Sequence, residues 1–282
     1  MKIYIDGRYY EKQKATVSVF DHGLLYGDGV FEGIRIYHGK VFKLKEHVER
    51  LYLSAQALLL KIPLSEAEMI RAILATVAAN KKKDGYIRVL VTRGDGALGI
   101  DPSSCKQAKV IIIVGDIQLY PEAYYNNGIE IVTAATRRMP SACLDPRVKS
   151  LNYLNNIMAK LEAIQAGCQE AVMLNQEGFV AECTGDNIFI VRKGELYTPA
   201  PCHGALDGIT RETVIELAAA ADIKSHQVLL TRYDLYTSEE CFLTGTGAEI
   251  IPVIRIDGRS IGGGKPGMTT RKLIKAYHEA IK

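Results

Sequence analysis

The sequence lacks the marks of several protein classes. Its six cysteines are scattered, without a C-x-x-C pair or a nearby histidine cluster, which favours reduced and mostly buried thiols over a disulfide scaffold. The formal net charge is only +3, which gives no reason to expect nucleic acid or an anionic membrane as a partner. No apolar run reaches membrane-spanning length, and the N-terminus has the pattern of a strand and a turn instead of a signal peptide. We therefore expect a soluble, cytoplasmic protein.

Familiar catalytic motifs are missing as well. The chain has no G-x-G-x-x-G after a strand, no P-loop, no G-x-S-x-G and no H-E-x-x-H. In "GGGKPGM" a proline follows Lys265 where a P-loop has Ser or Thr, so this stretch is predicted to be a loop ahead of the last helix. The six histidines are dispersed, and we expect no metal site.

Two sections of the chain differ in pattern and predict two domains. Residues 1–116 combine alternating apolar strands with two amphipathic helices, an α+β arrangement, and Ser65 and Glu68 have the capping-box spacing that begins the second helix. Residues 117–127 contain proline and Asn-Asn-Gly without periodicity, which predicts a linker. Residues 128–282 alternate strands and helices, so the expected fold class is mixed α+β and α/β.

Helical periodicity also predicts buried faces and isolates one lysine. The apolar face of the first long helix consists of Val48, Leu51, Tyr52, Ala55, Leu58 and Leu59. A further helix over residues 153–166 ends at Gly167, and Lys149 stands just ahead of it in a polar turn. A single lysine in a turn is ordinarily a solvated charge, so its neighbours alone give Lys149 no special role.

Other residues supply the chemistry of one cofactor. Ile209 and Thr210 lie where a helix begins, and Thr246 lies in a small-residue turn after a strand, so both places offer donors to an anion. Each of them alone is an ordinary helix start or loop. Glu182 is predicted to be buried and therefore needs an arginine or a protonated heterocyclic nitrogen as its partner. With Lys149 for a Schiff base, this set matches the needs of pyridoxal 5′-phosphate.

Seven stretches of the chain resemble the fold-type IV (class IV) pyridoxal-phosphate aminotransferases, most closely the branched-chain enzymes. In the family's order they are "HGLLYGDGVFEGIR", "KEHVERL", "YIR", "VKSLNYLNN", "ECTGDNIF", "GITR" and "GTGAEIIPV". The resemblance implies a small N-terminal α+β sheet domain, followed by a larger cofactor-binding domain with a β-barrel-like sheet and helices.

The resemblance also implies roles for individual residues. Lys149 is similar to the family's Schiff-base lysine, Tyr153 to the tyrosine at the cofactor's phenolic oxygen, and Arg50 to the phosphate-binding arginine. Glu182 resembles the carboxylate at the pyridine nitrogen, and Leu206 the apolar residue on the ring face. The remaining phosphate contacts match Ile209, Thr210 and Thr246.

Three activities of this family compete. Phe31 stands where D-specific enzymes carry tyrosine. Tyr86 and Arg88 resemble residues near the substrate carboxylate of branched-chain enzymes, so a branched-chain L-amino-acid aminotransferase is favoured. Arg93 in "VTRG" keeps a D-amino-acid aminotransferase open; an aminodeoxychorismate-lyase-like activity and a non-catalytic cofactor-binding protein are further alternatives. The expected substrate-binding residues are Tyr26, Phe31, Tyr86, Arg88, Gly247 and Ala248.

The expected reaction moves the amino group of leucine, isoleucine or valine to 2-oxoglutarate. Lys149 is expected to move the proton of the substrate's Cα atom, and Arg88 to face the distal carboxylate of glutamate. Because the family's sites are completed across a subunit interface, the resemblance implies a homodimer or a hexamer built from dimers.

Overall fold

An antiparallel sheet of six strands is the framework of the first of two units. The structure is a computed structural model that describes residues 1–117 and 120–282. Met1–Ile117 and Val148–Asn152 form the first unit, and the remaining described residues form the second. The strands are β1 (Lys2–Ile5), β2 (Arg8–Glu11), β3 (Gly29–Tyr37), β4 (Lys40–Val41), β5 (Gly85–Thr92) and β6 (Lys109–Gly115). Their order in the sheet is β2-β1-β6-β5-β3-β4.

Three helices accompany this sheet: α1 (His22–Tyr26), α2 (Leu44–Ala57) and α3 (Glu66–Asn80). The predicted capping box is present, because Ser65 accepts from the Glu68 N–H and the Glu68 carboxylate accepts from the Ser65 N–H. Helix α2 buries most of its predicted face, but the prediction for Leu59 is wrong. The helix ends at Ala57, Leu59 has a φ of +51° and is 88% exposed, and Leu60 is buried instead. The left-handed turn at the helix end shifts the apolar register by one residue.

Nine strands form the mixed sheet of the second unit. They are β7 (Ile129–Thr133), β8 (Glu170–Leu174), β9 (Val180–Cys183), β10 (Asn187–Arg192), β11 (Glu195–Pro199), β12 (Ser225–Val228), β13 (Glu240–Gly245), β14 (Glu249–Ile256) and β15 (Arg259–Ser260). The main path is β12-β11-β10-β13-β14-β7-β8-β9, and β15 pairs with β14. Strand β9 at one end also approaches β10 and β11, so the sheet curls back on itself. The predicted mixed α+β class with a curled, barrel-like sheet is confirmed.

The helices of the second unit cover this sheet. They are α4 (Glu122–Asn127), α5 (Leu154–Gln165), α6 (Ile209–Ala220), α7 (Arg232–Tyr236) and α8 (Met268–Ala280). Strands β8 and β9 are buried along their whole length, as expected for strands with both faces covered. Much of the second core is built from Val, Ile and Leu side chains of β7 to β14.

The stretch predicted as a linker is not irregular throughout. Gln118 and Leu119 lie outside the described residues, but α4 forms within residues 117–127. Tyr124 and Tyr125 of this helix pack against the second core, which gives the short helix a tertiary anchor that its sequence pattern does not reveal. The structure also groups Val148–Asn152 with the first unit, although this segment falls within the predicted second domain, residues 128–282.

Residues 1–117 and 120–282 contain neither a candidate membrane span nor a candidate metal cluster. Within these ranges no helix is both long and apolar enough to cross a membrane. No group of three or more His, Cys, Asp or Glu side chains in the same residues is arranged to hold a metal ion.

Candidate active site

The backbone around Lys149 is fixed as if it were an extra strand of the first sheet. The Phe31 N–H donates to the Lys149 carbonyl at 3.0 Å, and the Leu151 N–H donates to the Gly29 carbonyl at 2.9 Å. From the other direction, the Lys149 N–H donates to Oγ of Ser54 on α2 at 3.1 Å. Three hydrogen bonds therefore fix residues 149–151, and two of them are made by the backbone of Lys149 itself.

The Lys149 ammonium lies over an aromatic ring. Its Nζ is 4.7 Å from the centroid of the Phe31 ring, and the guanidinium carbon of Arg88 is 4.6 Å from the same centroid. The Arg88 guanidinium also lies 5.5 Å from the Tyr86 ring centroid. Cation–π attraction stabilises such contacts by about 0.5–1 kcal/mol at exposed sites and by more where water is excluded. The structure thus brings together Lys149 and three of the predicted substrate residues.

A glycine makes room for this group. Strands β3 and β5 pair so that Gly33 lies opposite Arg88. A Cβ atom on Gly33 would lie 1.8 Å from the Tyr86 hydroxyl oxygen, which is closer than any real contact allows. The position of the Tyr86 hydroxyl over β3 therefore depends on the missing side chain at residue 33.

Tyr26 has different surroundings. It lies in α1, where its ring packs edge-on against His22 with the centroids 5.0 Å apart. Its hydroxyl donates to the carbonyl of Leu98 in the loop after β5. Of the predicted substrate residues in the first unit, Tyr26 is thus fixed to this loop.

Arg50 on α2 is bound by a buried carboxylate. Its Nε and Nη2 donate to the two oxygens of Glu32 at 2.7 and 2.9 Å. Glu32 is 1% exposed, and its second oxygen also lies 2.7 Å from Nδ1 of His47. Burial alone would raise the pKa of Glu32, but the charge of Arg50 and the hydrogen bonds of both partners outweigh it and hold this pKa below its usual range. Glu32 and His47 were not among the predicted site residues.

Glu182 in the second unit is buried as predicted, and it has an arginine partner. Its Oε1 lies 2.8 Å from Nη2 of Arg138, and its Oε2 accepts from the Leu206 N–H at 2.8 Å. Arg138 is itself positioned by Asn156 Oδ1 at 2.9 Å and by the Gly204 carbonyl at 3.3 Å. The ion pair offsets the cost of burying the carboxylate charge. A carboxylate accepts about four hydrogen bonds in total, so these contacts are compatible with a further N–H donor.

Asn187 lies next to the start of α6 and on the strand that pairs with β13. A Cβ atom on Gly208, the residue before α6, would lie 1.9 Å from Oδ1 of Asn187, and the Asn187 Nδ2 donates to the Leu206 carbonyl at 2.9 Å. Asn187 also pairs with Thr244 at the end of β13, just before the turn at Thr246. The start of α6 and Leu206 therefore lie beside the Asn187 side chain, and the backbone of Asn187 pairs with the strand that leads to the turn.

These turns offer donors that fit a phosphate. The N-cap residue of α6 is Gly208, which makes no side-chain cap, and the N–H groups of Ile209 and Thr210 in the first turn have no intrahelical acceptor. Within the described residues, Oγ1 of Thr244 is buried without a hydrogen-bond partner. A buried hydroxyl without a partner is costly, and an anion beside it would remove that cost. Two acidic groups belong to this region: Asp186, whose carboxylate packs against Gly245, and Asp207, just before α6.

The other predicted residues of the second unit lie at element ends. Thr246, Gly247 and Ala248 form the turn between β13 and β14, and Glu249 after them has a φ of +60°. Ala248 is fully buried and belongs to the core. Tyr153 immediately precedes α5, where its carbonyl accepts from the Ile157 N–H at 2.9 Å. The predicted site residues are thus divided between the two units.

Comparison with known proteins identifies the family. Residues 29–256 match the family described as amino-transferase class IV. The chain is 50% identical over 279 residues to the putative branched-chain-amino-acid aminotransferase of Methanocaldococcus jannaschii, covering 99% of this chain and 96% of that protein. The chain belongs to the class IV aminotransferases, and the prediction of this family is confirmed.

Two further comparisons bear on cofactor and substrate. The crystal structure of the T.th. branched-chain amino acid aminotransferase complexed with N-(5′-phosphopyridoxyl)-L-glutamate has a TM-score of 0.93 and 37% identity, over 99% of this chain and 93% of that one. The D-alanine aminotransferase of Bacillus licheniformis is 35% identical over 281 residues, covering 100% of this chain and 97% of that protein. The branched-chain relative from Methanocaldococcus jannaschii is thus the more similar of the two curated proteins.

Proposed function

We propose that the chain is a pyridoxal-phosphate-dependent aminotransferase that moves the amino group of L-leucine, L-isoleucine or L-valine to 2-oxoglutarate. The observation that carries the proposal is the position of the Lys149 amine, 4.7 Å from the centre of a phenylalanine ring that Arg88 also contacts. This arrangement combines a reactive amine, an apolar surface and a carboxylate-binding cation. The high identity to a relative named for branched-chain substrates supports the same activity.

The first unit would supply the proton transfer. When bound, pyridoxal phosphate provides an electron-accepting ring that stabilises negative charge at the substrate's Cα atom. The Lys149 Nζ would hold the cofactor and then take the Cα proton as general base. Its backbone hydrogen bonds to β3 and α2 fix the point from which the lysine side chain extends, which reduces the entropy lost in placing the amine. Arg50, fixed by Glu32, would bind the phosphate.

The second unit would orient the cofactor. Glu182 would accept a hydrogen bond from the ring nitrogen, and the Arg138 contact would keep the carboxylate in position. The N–H groups of Ile209 and Thr210 and the turn at Thr246 would bind the phosphate. Leu206 would pack on the ring face, and Tyr153 would donate to the phenolic oxygen.

The proposed substrate-binding residues can accommodate both an apolar branched side chain and the acidic side chain of glutamate. Phe31 and Tyr86 would provide an apolar surface for leucine, isoleucine and valine, with Tyr26, Gly247 and Ala248 completing the substrate contacts. Arg88 would bind the distal carboxylate of glutamate by charge-assisted hydrogen bonds. One pocket would thereby serve the apolar substrate and the acidic one in turn.

A D-amino-acid aminotransferase is the second candidate, because the chain is 35% identical to a D-alanine aminotransferase. The residue that kept this alternative open is Arg93. Its Nε and Nη2 donate to Asp28 at 2.8 and 2.9 Å, and further N–H groups donate to the carbonyls of Leu58 and Leu59. These contacts give Arg93 a structural role at the end of α2, which favours the L-specific reading.

The assembly and location follow from the same proposal. We infer a homodimer or a dimer-based hexamer in the cytoplasm. The two domains would be residues 1–116 and 128–282, joined at 117–127.

A substrate panel tests the proposed function. The protein is incubated with pyridoxal phosphate, 2-oxoglutarate and either L-leucine or D-alanine, and glutamate formation is measured. We expect turnover with L-leucine and little with D-alanine. Preference for D-alanine would replace the proposal by the second candidate, and catalytic release of pyruvate from a chorismate-derived amine without an amino acceptor would indicate a lyase.

A further inference from the structure

Glu32 and His47 form a buried polar pair to which the proposed reaction gives no role. Both side chains are only 1% exposed, although they lie on different elements, β3 and α2. A carboxylate and an imidazole without access to water are costly unless their partners are well placed. Their common neighbour is Arg50, the residue proposed to bind the cofactor's phosphate.

The geometry of the carboxylate determines how the guanidinium is turned. Oε1 of Glu32 accepts from Nε of Arg50 at 2.7 Å, and Oε2 accepts from Nη2 at 2.9 Å. This two-pronged contact occupies the Nε–Nη2 edge of a planar group. The Nη1 atom is thereby directed away from Glu32, and the guanidinium has one orientation in place of the many that a flexible side chain samples.

His47 in turn fixes the carboxylate. Its Nδ1 lies 2.7 Å from Oε2 of Glu32, the same oxygen that accepts from Nη2 of Arg50. His47 and Arg50 lie three residues apart on α2, so their side chains project from the same face of the helix. Burial lowers the pKa of His47 and, together with the nearby charges of Arg50 and Lys149, outweighs the opposing effect of the Glu32 carboxylate, so the imidazole is neutral near pH 7. The carboxylate thus keeps Arg50 as its charged partner.

We propose that Glu32 and His47 are positioning residues, which orient Arg50 to bind the phosphate group of the cofactor. The inference rests on the proposed function, because it assigns a ligand to Arg50. The new element is that Glu32, which the cofactor does not contact, fixes the orientation of the Arg50 guanidinium before the cofactor binds. Preorganised donors bind an anion more tightly, since no side-chain freedom is lost on binding.

The competing explanation is that the pair has a purely structural role and only stabilises the packing of α2 against β3. The two roles differ in their dependence on phosphate. A positioning role predicts that damage to the pair weakens the binding of pyridoxal phosphate much more than that of pyridoxal, which lacks the phosphate. A purely structural role predicts equal losses for both, because a disturbed fold affects every part of the cofactor site.

The experiment compares Glu32→Gln, His47→Asn and wild type. Dissociation constants for pyridoxal phosphate and for pyridoxal are measured by the absorbance of the Schiff base that each forms with lysine. Glu240→Gln is the matched control, because Glu240 is a carboxylate that accepts from the Thr269 and Thr270 N–H groups at the start of α8. Thermal unfolding of each variant is recorded first.

We expect Glu32→Gln to weaken the binding of pyridoxal phosphate about tenfold or more. The substitution replaces the charged, bidentate contact between residue 32 and Arg50 by a neutral one. His47→Asn leaves both Arg50 contacts in place, so its loss should be smaller but of the same kind. Pyridoxal binding should change less than about twofold in every variant. Glu240→Gln should leave both constants unchanged.

Three outcomes would overturn the inference. Equal losses for the two ligands would make the role of the pair purely structural, and unchanged constants would remove any role. If wild type bound neither ligand, the proposed function would fail together with this inference, whereas the first two outcomes leave that function intact. If Glu32→Gln fails to fold, the same comparison of the dissociation constants for pyridoxal phosphate and pyridoxal in His47→Asn distinguishes the two roles.

Discussion

Arg138 and Glu182 form a buried ion pair in which Nη2 and Oε1 are 2.8 Å apart. Both residues are at most 7% exposed. Because neither charge is solvated by bulk water, each is stabilised mainly by the opposite charge of its partner. Removing one partner of such a pair leaves an uncompensated charge in the interior.

We therefore expect Arg138→Met to lower the free energy of unfolding by about 3–5 kcal/mol, the usual cost of breaking a buried pair from one side. The double variant Arg138→Met/Glu182→Gln removes both charges and should recover part of that loss. Urea denaturation of the three proteins measures the difference. A loss below about 1 kcal/mol, typical of exposed pairs, would show that the pair is solvated.

Lys149→Ala should reduce transamination of L-leucine by about a thousandfold or more, because it removes both the nucleophile and the general base. Borohydride reduction with pyridoxal phosphate should label wild type at this lysine and leave the variant unlabelled there. Lys45→Ala, a change at an exposed lysine, is the control and should retain full activity. A Lys149→Ala protein that turns over at the wild-type rate would remove this residue from the reaction.

Gly33→Ala should disturb the substrate residues, because its Cβ atom would overlap the Tyr86 hydroxyl oxygen. We expect a destabilisation of about 1–3 kcal/mol, the range for overpacked positions, and a raised KM for L-leucine. Gly33→Ala/Tyr86→Phe removes the nearest clashing atom and should restore part of the stability. Gly263→Ala, where a Cβ meets open space, is the matched control. Unchanged stability and KM in Gly33→Ala would mean that Tyr86 moves freely.

The buried histidine predicts a pH dependence of stability. Burial lowers the pKa of His47 in the folded protein, so the unfolded chain binds this proton more readily. Stability should therefore fall as the pH drops below the ordinary histidine value of about 6.5. His47→Asn should flatten the change in free energy of unfolding between about pH 7 and 5. His38→Asn, at an exposed left-handed position that asparagine tolerates, should retain the wild-type slope. Equal slopes in wild type and His47→Asn would contradict the prediction.

Local signals predicted the elements well. The spacing of Ser65 and Glu68 predicted the start of α3, and the predicted burial of Glu182 is confirmed. Leu59 shows the limit of periodicity, which gives a helix face but not the residue at which the helix ends. At Ala57 the chain leaves the helix, and the register changes within two residues.

The partners of the site residues were harder to predict. Arg138 stands beside Arg137 a few residues after β7 ends, and no local feature separates the buried arginine from the other one. Glu32 is a charged residue within an apolar strand, which was the one available signal, but its partners lie on a helix fifteen and eighteen positions later. Long-range pairing of this kind depends on tertiary packing.

The grouping of Val148–Asn152 with the first unit makes that unit discontinuous in sequence. The polypeptide enters the second unit, returns with five residues that include Lys149, and leaves again. A ribosome must therefore release Asn152 before the first unit has all of its parts. Cutting the gene near residue 117 would yield a fragment that lacks the reactive amine, so the two units cannot be exchanged between proteins as simple modules.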